Sequence, residues 1–301
     1  MASIDRVAVV GAGTMGSQIA LQTALAGEYE VALLDSSPEQ LDRAREQLSA
    51  ILERRVSKGR LTPDQAQAAI NRIELGGELG PSLAGCGLVI EAVYEDLESK
   101  RGVWRELNRY APRDAVLASN SSTIAISRLA GETDRPEKCC NMHFFHPVTV
   151  MELCEVVRGP QTSEETVRAA VEFVRSIGRV PVVIQKEVHG FIVNRILFAA
   201  AEEAIRLLEG GYASVADIDT AVKKGLNWPM GPFELLDFSG LDIFHGALED
   251  RRKVEGGPGA PAVLTRKVQR GELGRKTGRG FHDYALEGAQ GGRDGDRQPR
   301  A

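Results

Sequence analysis

The chain has little sulfur and nothing that reads as a metal-binding pattern. Its 301 residues include four cysteines and five histidines. Cys86, Cys139, Cys140 and Cys154 show no C-x-x-C spacing, and three of them lie in apolar, strand-like stretches. Buried, reduced thiols of a cytoplasmic protein are therefore expected. His143 and His146 are close together, but no carboxylate or thiol follows at a metal-ligand spacing, so no metal is expected. No apolar run reaches the roughly 18 residues of a membrane span, and Asp5 and Arg6 interrupt any signal-peptide pattern. The chain is thus expected to be cytoplasmic, with no membrane partner. Cationic charge is not in excess either. With 37 Lys and Arg against 42 Asp and Glu, the formal charge is −5, which argues against non-specific binding to nucleic acid.

What is present is ordinary soluble-protein composition with one organising stretch. Hydrophobic residues make up 43% and charged residues 26%, and the length suits two domains. The apolar run Val7-Ala8-Val9-Val10 ends in Gly11, Gly13 and Gly16, spaced G-x-G-x-x-G, and a helical pattern follows through Ala26. Gly11 permits a tight turn, Gly13 lets a pyrophosphate approach the backbone, and Gly16 lets the helix pack against its strand. The turn from Gly11 through Thr14 and Met15 to Gly16 then offers free helix N–H groups to an anion. A second strand, Glu30 to Leu34, ends at Asp35, about 20 residues past the turn, where a carboxylate can accept hydrogen bonds from an adenosine ribose. No Arg or Lys follows Asp35 closely, so NAD is favoured over NADP. A Gly-rich turn with Asp35 as a helix N-cap is the plain alternative.

Further along, Ser37 and Pro38 open a helix expected to run to about Gly59, and Thr62-Pro63-Asp64 caps a second, Gln65 to Asn71. This inserted hairpin carries Arg54, Arg55, Lys58 and Arg60. They suit either the phosphates of a long substrate or a solvated charged face. Strands are expected at 73–75, 87–92, 115–120, 139–145, 151–157 and 180–184, with helices at 97–110 and 164–177. Glu95 and Lys100 follow a strand end, in the zone where open α/β sheets bind ligands; by themselves they read as a surface acid and base. Ser121, Ser122 and Thr123 can cap the next helix or bind a substrate carbonyl. Beyond Gly190 the pattern is helical throughout, with helices at 191–209, 215–224, 232–251 and 262–270. So much apolar surface in so small an all-helical unit predicts a homodimer. The expected domains are 1–187, 188–285 and a disordered tail, 286–301.

One histidine has a chemical context. Glu155 follows His143 by a strand–turn–strand length, which can bring the two together at the ligand edge of the sheet. A carboxylate bonded to one imidazole nitrogen fixes the tautomer and makes the other nitrogen the more basic. Oxidation of an alcohol by NAD needs such a base.

The combination of motifs resembles the L-3-hydroxyacyl-CoA dehydrogenase family over roughly Arg6 to Tyr284. It comprises the glycine turn, Ser119-Asn120-Ser121-Ser122, His143-Phe144-Phe145, and Val150-Met151-Glu152-Leu153 leading to Glu155. Gly190-Phe191-Ile192-Val193-Asn194-Arg195, Pro229-Met230-Gly231-Pro232-Phe233-Glu234 and Gly274-Arg275-Lys276-Thr277-Gly278 complete it. The resemblance implies a Rossmann-type doubly wound α/β sheet with an inserted helical hairpin, plus an all-helical C-terminal dimerisation domain. It implies that His143 is the base and Glu155 its partner, with Ser122 and Asn194 holding the substrate's oxygens. Glu95, Lys100 and Lys276 match cofactor-contacting positions, and Lys58 matches one that contacts coenzyme A. His146 stands where the family usually has an Asn at the nicotinamide end of NAD, and an imidazole replaces only part of an amide's hydrogen bonding. His189 stands where Pro is common.

The expected activity is interconversion of an L-3-hydroxyacyl-CoA and its 3-oxoacyl-CoA with NAD. Two other readings remain open at this point. A dehydrogenase of a free hydroxy acid, such as a sugar acid or carnitine, has no need of the basic hairpin around Lys58. A non-catalytic NAD-binding protein has no need of His143, Glu155, Ser122 and Asn194.

Overall fold

The computed structural model describes residues 4–284, so the expected tail 286–301 lies outside the described residues. The chain divides into two compact units, Met1–Phe191 and Ile192–Ala301. In the first, eight strands form a sheet: β1 (Arg6–Val10), β2 (Glu30–Leu34), β3 (Ile73–Gly76), β4 (Leu88–Glu91), β5 (Val116–Ser119), β6 (Cys139–Phe144), β7 (Leu153–Arg158) and β8 (Val180–Ile184). Their order is β3-β2-β1-β4-β5-β6-β7-β8. The strands from β3 to β6 run parallel, β7 turns back antiparallel to β6, and β8 follows β7. The order reverses between β1 and β4, which puts a crevice beyond their carboxyl ends.

Why the strands read as unbroken apolar runs is clear from the two faces. Val7, Val9, Leu88 and Ile90 enter a core with the helices α1 (Thr14–Ala26), α2 (Pro38–Ser57), α3 (Pro63–Asn71) and a later helix, Glu164–Ser176. Ala8, Val10, Val89 and Leu117 enter the opposite core, under a short helix α4 (Leu79–Ser82) and α5 (Leu97–Tyr110). With both faces covered there is no polar side to alternate with, and each Val, Leu or Ile so buried contributes about 1.5–3 kcal/mol. The Glu164–Ser176 helix is α6.

The hairpin α2–α3 starts where Ser37 and Thr62 suggest. Ser37 Oγ accepts the Gln40 N–H at 3.2 Å, and Thr62 and Gln65 form a reciprocal capping box; such a cap contributes about 1 kcal/mol. The four cysteines are buried and unpaired. Burial raises the Cys139 thiol to about 12 and pushes Cys140 and Cys154 up as well, so none is a ready nucleophile.

The second unit is helical among the described residues: α7 (Val193–Glu209), α8 (Val215–Gly225), α9 (Pro232–Ser239), α10 (Leu241–Glu255) and α11 (Ala262–Gln269). Two expectations need correction here. The single helix over 232–251 is two, because Gly240 at φ +100° turns the chain after donating its N–H to Leu236 O. The helix expected from Phe191 begins at Val193, since Gly190 and Phe191 both have positive φ (76° and 51°), outside the α-helical region. Two buried carboxylates organise this unit. Asp219 accepts the Phe233 and Glu234 N–H groups and meets His282 Nε2 at 2.7 Å. Asp237 accepts the Phe281 and His282 N–H groups and the Tyr284 hydroxyl.

Candidate active site

The loops beyond β1, β2, β4, β5 and β6 share one edge of the sheet, and most of the sequence-predicted residues of the first unit stand there. The glycine turn is held from outside. Gly11 N–H donates to Leu34 O at 2.7 Å, and Asp35 accepts the Ala12 N–H at 2.8 Å and the Ser37 N–H at 3.0 Å. Helix α1 opens at Gly13 with no side-chain cap and no acid in its first turn, which leaves its amide dipoles for an external anion. A cavity of about 210 Å³ adjoins, lined by Gly11, Asp35, Ser36, Gly77, Leu79 and Val93 among others. Apolar walls beside the Asp35 carboxylate fit an adenosine group.

His143 and Glu155 face each other across the antiparallel β6–β7 pair, in direct register. Residues opposite one another on adjacent strands share a face, and the imidazole Nδ1 donates to Glu155 Oε2 at 2.8 Å. Both are nearly enclosed, at 5% and 1% exposure. The carboxylate only accepts, so Nδ1 carries the hydrogen and Nε2 keeps its lone pair for a substrate proton. Phe145 and Phe191 pack on the ring, with centroids at 4.4 and 5.5 Å. They fix its plane.

Ser122 lies beyond β5 on a loop fastened by Glu95, whose Oε1 accepts the N–H groups of Ser122 (3.1 Å) and Thr123 (3.2 Å) and the Thr123 hydroxyl (3.0 Å). Burial acts to raise the Glu95 carboxyl. The Lys100 charge and the hydrogen bonds from Ser121 and Thr123 outweigh it and leave Glu95 below the usual carboxylate range. A depressed carboxyl contributes its fastening above the unfolded-state value and loses it as pH falls through the folded one. Protection of the Ser122 and Thr123 amides from hydrogen exchange should therefore hold at neutral pH and decline below the carboxylate range; protection unchanged in acid would contradict the assignment.

Lys100 corrects the surface reading. It is 1% exposed and paired with the fully buried Glu91 at 2.6 Å, because position 100 shares the inner stripe of α5 with Trp104 and Leu107. Glu91, absent from the sequence-based candidates, sits at the end of β4 and also accepts the Ser119 hydroxyl at 2.8 Å. Its signal was an acid closing an otherwise apolar strand. His146 is exposed on the loop after β6, and Lys58 is exposed at the end of α2. Asn194 and Lys276 belong to the second unit. Asn194 is in the first turn of α7, and Lys276 is ion-paired with Asp242 at 2.6 Å. Among the described residues no cluster of three or more His, Cys, Asp or Glu could hold a metal ion, and no helix is long and apolar enough to cross a membrane.

A mostly parallel sheet whose strand order reverses at a glycine turn, with the Asp35 carboxylate beside it, defines a dinucleotide-binding protein. The chain belongs to the 3-hydroxyacyl-CoA dehydrogenase family: the family's NAD-binding domain matches residues 6–188 and its C-terminal domain residues 190–284. It is 42% identical to a 3-hydroxybutyryl-CoA dehydrogenase of Bradyrhizobium diazoefficiens, over 94% of this chain and 96% of that one. Against the mitochondrial hydroxyacyl-coenzyme A dehydrogenase of Rattus norvegicus it is 35% identical, over 93% and 91%. The crystal structure of (S)-3-hydroxybutyryl-CoA dehydrogenase from Ralstonia eutropha superposes with a TM-score of 0.89 at 36% identity, covering 94% of this chain and all of that one.

Proposed function

We propose that the protein interconverts an L-3-hydroxyacyl-CoA, such as 3-hydroxybutyryl-CoA, and its 3-oxoacyl-CoA with NAD. The observation that carries this reading is the in-register His143–Glu155 pair at the ligand edge of the sheet. NAD, when bound, supplies the acceptor for the two electrons and hydrogen that leave C3 of the alcohol. His143 Nε2 takes the hydroxyl proton in that direction and returns it to the forming alkoxide in the other. Glu155 holds the ring and offsets the positive charge that develops on it. Ser122 and Asn194 are assigned to the substrate's oxygens. The glycine turn (Gly11, Gly13, Thr14, Met15, Gly16), Asp35, Glu95 with its partner Lys100, Ser122, His146 and Lys276 are assigned to NAD, and Lys58 to coenzyme A. His146 replaces one hydrogen bond of an amide at the nicotinamide end.

The test is to follow NADH absorbance with 3-oxoacyl-CoA thioesters of increasing chain length and with the corresponding free acids. Turnover of the thioesters alone supports the reading; turnover confined to free acids overturns it in favour of a hydroxy-acid dehydrogenase, and none with either favours a binding protein. NADH should also exceed NADPH in kcat/KM by at least about tenfold, because a 2′-phosphate about 4 Å from the Asp35 carboxylate meets roughly 1–4 kcal/mol of repulsion. Equal values would remove Asp35 from its role.

We assign the protein to the cytoplasm and to a homodimer built on the helices after Gly190. The second unit exposes Ile196 (60%), Tyr212 (80%), Leu226 (63%), Phe238 (60%) and Ile243 (63%), more large apolar surface than a small helical unit leaves open without a partner. Light scattering should give twice the chain mass at micromolar concentration. A stable monomer there would refute the assignment.

A further inference from the structure

A closed ring of hydrogen bonds joins the carboxyl ends of β4 and β5 beneath the Ser122 loop. Glu91 is 0% exposed. Its Oε1 accepts from Lys100 Nζ at 2.6 Å and from the Val93 N–H at 2.8 Å. Its Oε2 accepts the Ser119 hydroxyl at 2.8 Å and Trp104 Nε1–H at 3.4 Å. Lys100 Nζ also donates to Val93 O at 3.2 Å and pairs with Glu95 Oε2 at 3.2 Å. The Ser121 hydroxyl donates to Glu95 Oε1, and the Ser121 N–H returns to Ser119 Oγ at 3.2 Å. The sequence Glu91–Lys100–Glu95–Ser121–Ser119–Glu91 therefore closes on itself.

Lys100 Nζ thus meets three acceptors of the protein, Glu91 Oε1, Val93 O and Glu95 Oε2. A buried carboxylate–ammonium pair rarely outdoes apolar packing in stability; what it supplies is defined geometry. We infer that Glu91 and Lys100 are positioning residues for the reaction. They hold Glu95, Glu95 Oε1 holds the Ser122 and Thr123 amides, and the Ser122 hydroxyl is thereby aimed. This rests on the reading that Ser122 holds a substrate oxygen.

The test uses the full-length protein with NADH and acetoacetyl-CoA, and compares Glu91→Gln and Ser119→Ala, each alone and combined with Ser122→Ala. Glu91→Gln keeps the shape and removes the charge facing Lys100. Ser119→Ala opens the ring with every charge intact and serves if the first variant does not fold. Amide exchange at Ser122 and Thr123, read without substrate, should quicken about tenfold in Glu91→Gln and about threefold in Ser119→Ala. The kcat should fall by similar factors. In the Ser122→Ala background either change should cost less than about twofold more, since residues acting through one another are not additive. Unchanged exchange in a folded variant, or losses that multiply with Ser122→Ala, would overturn the inference. If Ser122→Ala alone leaves kcat intact while Glu91→Gln quickens exchange, the ring does fasten the loop, and the assignment of Ser122 to the substrate is what fails.

Discussion

Replacing His143 with alanine lowers kcat by about 10²–10⁴-fold, the range of a positioned general acid–base, and leaves the dissociation constant of NAD within about twofold. The two halves of this result have separate causes. Nε2 of His143 is the proton acceptor proposed for the reaction, and alanine puts no base in its place. The glycine turn and Asp35, proposed above to bind NAD, hydrogen-bond to groups other than His143. Glu155→Gln keeps the shape but loses the charge that balances the imidazolium, so it costs less than removing the base. A neutral ring accepts the proton in oxidation and a charged ring donates it in reduction. Stopped-flow measurement of a single turnover separates these effects from product release. Near-normal turnover by folded His143→Ala protein would mean that the mechanism is wrong.

The parts of this molecule legible in its sequence are those in which local pattern and tertiary role coincide. An apolar run, three spaced glycines and a helical period describe β1, the turn and α1 without knowledge of anything distant, and Ser37 and Thr62 announce their helices by chemistry that acts within three residues. The His143–Glu155 pair was readable because β6 and β7 are consecutive and antiparallel, so the register follows from a short connection. Lys100 departs from its surface reading because position outweighs charge there. Its spacing of four and seven from Trp104 and Leu107 puts it on the inner stripe of α5, and only the burial of Glu91 makes that tolerable. The break at Gly240 was hidden because apolar residues continue on both sides, Leu236 before and Phe244 after. Asp219 and Asp237 give no signal, since their partners, backbone N–H groups together with His282 and the Tyr284 hydroxyl, are at least 14 residues away.

Gly13 and Gly16 should fail in opposite ways when each is changed to alanine. A Cβ at Gly16 would lie 1.8 Å from the Gly11 carbonyl oxygen, backbone that cannot swing aside as a side chain could. Gly11 is itself confined. Its φ of +106° suits glycine, and its own Cβ direction runs into Ala92 O at 2.6 Å. Relief at Gly16 therefore requires α1 to lift from β1, with loss of the packing of Ile19 and Ala20. Overpacking of this kind costs about 1–3 kcal/mol, and more where backbone must shift. Gly16→Ala should lower Tm by several degrees and weaken NAD together, as the turn moves with the helix. At Gly13 the Cβ direction meets nothing within 4 Å, and the backbone is an extended one open to any residue (φ −67°, ψ −174°). Space left empty by the protein at the start of α1 is space for a pyrophosphate. Gly13→Ala should consequently keep Tm within about a degree while NAD binding, followed by quenching of protein fluorescence, weakens at least about tenfold. Calorimetry on the two variants without cofactor separates the cases. A destabilised Gly13→Ala protein, or a Gly16→Ala protein of unchanged Tm, would show that the turn is not built as described.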